Sequence, residues 1–164
     1  MLRHQTTTLT FIVPAKSAAR GLTLVELVLV IGILAVLMSI GGPAWQQYRN
    51  KIRVDQAKRD IIMMSSGIER YWQDARAYPD SLAAAGFGDQ RDPWGNPYGY
   101  LNLGNARARG HARKDHSLVP INTDFDLYSM GADGRSAPPL TARHSRDDIV
   151  RANNGAFVGL ATEY

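Results

Sequence analysis

Residues 20–37 read RGLTLVELVLVIGILAVL, and one letter in that run is out of keeping with the rest: Glu26. Between residues 22 and 45 it is the one strongly polar side chain, with Thr23 and Ser39 as mild interruptions. As a helix rising ~1.5 Å per residue, ~20 such residues cover the ~30 Å hydrocarbon core of a bilayer. An ionised carboxylate in that core costs at least about 2.5–3.5 kcal/mol, even on lenient insertion scales. A purely structural span would be better served by Leu at 26, so Glu26 asks for a role.

Upstream, residues 1–21 carry Arg3, Lys16 and Arg20 and no acid, the pattern of a flank retained in the cytoplasm. A secretory signal has a shorter apolar region with small cleavage-site residues after it. Here Ala18, Ala19 and Gly21 come before the apolar run. Any cut at those residues leaves the span on the chain.

Downstream, Ile52, Ala57, Ile61, Met64, Ile68, Tyr71 and Trp72 recur mostly at steps of three and four, a helical stripe. Charged side chains such as Lys51, Arg53, Lys58 and Arg59 take the other faces. The pattern predicts one helix from residue 22 to about 75, apolar all round in its first half and amphipathic in its second. Pro43 removes a backbone bond within it and either kinks it or ends the membrane segment. The helix stops near Tyr78-Pro79, because a residue before Pro is pushed out of the helical region. Beyond lie a brief helix over 81–85, a turn-dense DPWGNP at 92–97, and strands over 98–101, 125–130 and 156–160. Residues 104–116, basic and small, read as a solvated loop. The fold class is α+β: a long N-terminal helix packed on a small antiparallel sheet.

The 164 residues allow one modest domain plus an anchor. With no cysteine, disulfides and thiolate metal sites are excluded. The net charge of +4 resides mostly in residues 1–21; the remainder is nearly balanced. Such a body lacks the electrostatic footprint of nucleic-acid binding. No phosphate-binding loop, HExxH motif or nucleophile elbow occurs, so nothing in the chain argues for an enzyme.

The stretch Gly21-Leu22-Thr23-Leu24-Val25-Glu26 resembles the processing site of type IV prepilins. Three later motifs narrow the likeness: DPWGNPY at 92–98, DLYSMGADG at 126–134 and Asp147-Asp148-Ile149. Together, over residues 21–149 with gaps, they are similar to the major pseudopilin of the type II secretion system. Three departures stand out. The segment after Tyr78-Pro79 is shorter than the family's, residues 104–116 look inserted, and Asp133 to Asp147 is a longer interval.

The resemblance implies a pilin-like fold in three parts. Residues 1–21 would be a cytoplasmic leader removed by a prepilin peptidase, 22–45 a transmembrane and filament-core helix, and 46–164 a periplasmic globular domain. Cleavage after Gly21 would leave a methylated amine on Leu22. Glu26 then becomes the fifth mature residue and Pro43 the twenty-second, positions typical of such subunits. Glu26 could enter the bilayer once paired with the Leu22 amine of a neighbour, since a partner in low dielectric recovers what an isolated charge loses. The alternative is a carboxylate that stays at the helix N-terminus, favoured by the dipole.

In the resembling family a structural calcium is held near the acidic motifs. Carried over, its ligands would be the side chains of Asp133, Asp147 and Asp148, with the carbonyls of Met130 and Ser145. A mixed oxygen set from a returning loop suits calcium. The plainer possibility is a Gly-Ala-Asp-Gly turn beside a solvated acidic pair.

The expected function is that of a structural subunit, anchored in a bacterial inner membrane. It would polymerise with copies of itself and meet other pseudopilins and an inner-membrane secretion platform, driving export across the outer membrane. Two alternatives stand beside it. One is a subunit of a type IV pilus for adhesion or motility, although those usually carry a disulfide loop. The other is a membrane-anchored periplasmic enzyme or binding module.

Overall fold

Residues 21–164 are described by the structure, a computed structural model. The leader expected over 1–21 thus lies, but for Gly21, outside the described residues. The chain forms two compact units that divide between Gly42 and Pro43.

The first unit contains the start of α1 (Leu24–Ala75). The helix begins at Leu24 rather than at 22, because Thr23 caps it. Its hydroxyl accepts the Glu26 N–H at 3.2 Å and its carbonyl accepts the Leu27 N–H at 3.1 Å. From Leu22 to Met38 the apolar side chains stand exposed, Leu24 at 79% and Met38 at 73%. No helix among the described residues is long and apolar enough to cross a membrane. The side chains at 40, 41, 43 and 44 lie outside the description.

In the second unit, α1 buries Val54, Ala57, Ile61, Met64 and Ile68, at alternating steps of three and four. Each such burial contributes roughly 1.5–3 kcal/mol for the larger side chains. The stripe is shifted from the expectation at both ends. Val54 is buried while Ile52 is 46% exposed, and Trp72 remains largely outside. Val54 stands three residues before Ala57 and Ile52 five, so only Val54 keeps the step of the stripe and lies on the face the sheet covers. At Gly67 a Cβ would sit 2.5 Å from the Phe87 ring, so glycine lets that ring lie on the helix. The helix ends at Ala75, where Arg76 turns left-handed (φ 56°) and its N–H returns to the Trp72 carbonyl at 2.8 Å.

The predicted helix over 81–85 is instead a set of turns. Ser81 accepts the Ala84 N–H, and the Gly86 and Phe87 N–H groups fold back on Ala83 and Leu82, leaving no room for a second helical turn. Four strands follow: β1 (Gly99–Asn102), β2 (Phe125–Ser129), β3 (Ile149–Ala152) and β4 (Phe157–Leu160). They form one antiparallel sheet in the order β1-β2-β3-β4. Tyr98, Phe125, Leu127 and Ile149 meet the helix stripe. A second cluster joins Val150 and Ala152 with Ile121, Leu140 and Ala161. The alternation along β3 thus feeds two cores.

Candidate functional site

Two regions carry the residues singled out in the sequence. The first is the start of α1. Gly21 and Leu22 precede the helix and are exposed, and Glu26 lies in its first turn, also exposed. The T-x-x-E spacing of Thr23 and Glu26 is a helix-start signal that the apolar run overshadowed. Thr23 fixes where Glu26 falls relative to Gly21 and Leu22, in the first turn of the helix. Pro43 lies within α1, and its side chain is outside the described residues.

The second region is the acidic loop after β2, fastened by the DPWGNP turn. The Asp92 carboxylate accepts the Trp94 and Asn96 N–H groups at 3.1 and 2.8 Å and the Ser129 hydroxyl at 2.6 Å. The Asn96 side-chain amide donates to the Gly131 carbonyl at 3.0 Å. Gly131 (φ 62°) is required there: a Cβ would come within 2.3 Å of the Asp147 carbonyl oxygen. Asp133 thereby reaches Asp147, its N–H donating to the Asp147 carboxylate at 3.0 Å. Asp133 is itself exposed, and the Arg135 N–H on its carboxylate, then His144 at 3.3 Å, hold its pKa below the ordinary value.

Asp148 is in a different situation. It is fully buried, its carboxylate ion-paired with Arg113 and accepting the Ser136 hydroxyl at 2.6 Å. Burial pushes its pKa up against the pull of Ser136 and Arg113. The Ser145 hydroxyl bonds the Ala137 backbone at both N–H and carbonyl, and the Ser145 carbonyl accepts the Asp148 N–H at 3.3 Å. Met130, just past β2, is half-buried. Among the described residues no three His, Cys, Asp or Glu side chains are gathered to hold a metal ion. One Asp148 oxygen is buried without a partner, yet a guanidinium on the same carboxylate repels a second cation. As arranged, the five oxygen donors do not fit a calcium centre.

Arg113 was hidden in the sequence because it sits in the segment expected to be a solvated loop. That expectation is corrected at residues 112–114. Ala112 and Arg113 are buried, and the chain here bonds to Pro138, Leu140 and Ile121 on its two sides. The Arg113 N–H also donates to Asp126 at 2.7 Å, and its guanidinium lies 4.2 Å from the Tyr128 ring centroid. The remainder, through His111, stays mostly exposed.

A long helix on a four-stranded antiparallel sheet with an exposed apolar start is a pilin-like arrangement. The chain is 29% identical to the type II secretion system core protein G of Pseudomonas aeruginosa over 136 residues, 70% of this chain and 84% of the relative. It is 28% identical to that of Escherichia coli K12, covering 73% of this chain and 86% of the relative. The chain is similar to type IV pilin-like pseudopilins. A shorter match, 40% over 50 residues, links this chain to the prepilin peptidase-dependent protein D of Escherichia coli K12, covering 30% of this chain and 34% of that one. No family model matches the chain. No solved structure matches it either.

Proposed function

We propose that this chain is a structural subunit of a type II secretion pseudopilus, built by polymerisation through the N-terminal part of α1. One observation carries the proposal: every described apolar side chain from Leu22 to Met38 is exposed in the single chain, with Glu26 as the lone charge among them. Nothing among the described residues covers that surface, and copies of the same helix supply matching cover. Its likeness to two core protein G chains over most of their length supports the type II assignment. The pilin-type match spans under half of either chain, so it supports the shared mode of assembly more than a surface pilus.

In this reading a prepilin peptidase cuts after Gly21, the new amine on Leu22 is methylated, and the subunit waits in the inner membrane with its globular unit in the periplasm. A neighbour's Leu22 amine then pairs with Glu26 and sets the stagger between subunits. Other pseudopilins and the inner-membrane platform are its further partners, and the role is structural rather than enzymatic. The test is Glu26→Ala in the full chain, scored by filament formation and exoprotein secretion. Loss of both is expected; wild-type filaments and secretion would sink the proposal.

A further inference from the structure

We infer that Arg113 is a built-in counter-ion that holds the acidic loop closed in place of a bound divalent cation, so that the subunit's globular unit needs no calcium. This goes beyond the assembly proposal and is independent of it. Three observations converge. Asp148 is fully buried directly before β3, and its carboxylate faces the Arg113 guanidinium, itself only 4% exposed. Ser136, from the stretch between Asp133 and Asp147, bonds both partners. The pair therefore ties together the returning loop, the strand and the inserted segment, three pieces of chain that a chelated ion would otherwise join. Arg113 is also fixed independently of Asp148. Its backbone is bonded to Ile121 and Asp126, Lys114 is bonded to Pro138 and Leu140, and the Tyr128 ring underlies the guanidinium.

Two of the three departures noted in the sequence then share one explanation. The inserted residues 104–116 deliver the cation, and the long interval from Asp133 to Asp147 supplies Ser136 to bridge it. A planar guanidinium with fixed donors suits this place, because it keeps its charge at any pH and can bond carboxylate and hydroxyl at once.

The experiment uses the full chain in detergent, melted in millimolar calcium chloride and in excess EGTA, with calcium binding followed by titration calorimetry. Equal melting temperatures and no saturable calcium binding are expected. A melting temperature raised by calcium would overturn the inference. A second arm is a mutant cycle with Arg113→Met and Asp148→Asn. Each single change should lower the melting temperature by several degrees, and the double change by clearly less than their sum. Additive losses would show that the two side chains do not act as a pair. Should Arg113→Met fail to fold, Arg113→Lys takes its place: it should cost less in the Asp148→Asn background than in the native one, and an equal loss in both backgrounds counts against the pair.

Discussion

The guanidinium of Arg151, on β3, lies 3.9 Å from the ring centroid of Phe125 on the adjacent strand β2. From that position it donates to both oxygens of Asp124 at 2.6 and 2.9 Å and to the Phe125 carbonyl at 3.1 Å. Arg151 is the largest fully buried side chain of the described residues. A buried cation of this kind is tolerated where stacking and a fork to a carboxylate replace its water. Arg151→Met leaves Asp124 without its partner and should destabilise the fold by roughly 3 kcal/mol. Arg151→Lys should recover only part, since an ammonium neither stacks flat nor forks. Urea unfolding of the full chain in detergent checks both, and a Lys variant as stable as the parent would contradict the account.

The helix stripe gives a paired prediction. Ile61→Ala should cost about 2–5 kcal/mol, because Ile61 is fully buried against the sheet. Ile52→Ala, at a position 46% exposed, should stay within about 0.5 kcal/mol in the isolated chain. Equal losses at the two positions would place the stripe wrongly.

Thr23→Val removes the hydroxyl that accepts the Glu26 N–H. Losing such a cap costs about 1 kcal/mol. Locally this should speed hydrogen exchange at the Glu26 amide about fivefold, with the Ile61 amide unchanged. Unaltered exchange at Glu26 would show that the turn is held by something else.

Asp126 offers a test by pH. Burial raises its pKa above 3.8, against the pull of the Arg113 N–H, the Asn122 amide and the Arg113 charge. The folded chain therefore holds this proton more tightly than the unfolded one. The stability it contributes is full below 3.8 and is lost as pH rises through the folded value. Asp133 has the opposite sign: its contribution is present above 3.8 and fades as pH falls. Carbon-13 titration of the side-chain carboxyls should give Asp126 a midpoint above 3.8 and Asp133 one below; reversed midpoints would refute the assignment.

The long helix, the α+β class and three of the four strands were legible because each rests on local pattern. Apolar continuity marks residues 22–39, a three–four stripe marks the second half of α1, and aromatic runs mark β1, β2 and β4. β3 was missed because Ile-Val-Arg-Ala contains an arginine, and a charged letter reads as an exposed one. Its burial depends on Asp124 and Phe125, about 26 residues away in sequence, which no local window sees. The same blindness hid Arg113, whose partners Ser136 and Asp148 lie on other segments. At the acidic loop, the motifs located Asp133 and Asp147 side by side, yet the occupation of Asp148 by Arg113 is a tertiary fact. Val54 in place of Ile52 is a phase error of two residues, decided by which helix face the sheet covers.

The position of β3 between β2 and β4 bears on when a newly made subunit can fold. Ile149 completes the cluster over Ile61, Met64 and Ile68, and Val158 and Leu160 pack against that cluster from the last strand. A nascent chain that has reached residue 140 has made the helix, β1 and β2, but still lacks Ile149, Val158 and Leu160 to finish closing its buried face. Closure of this core thus waits for residues 149–160, so a product cut short of them stays open to proteases.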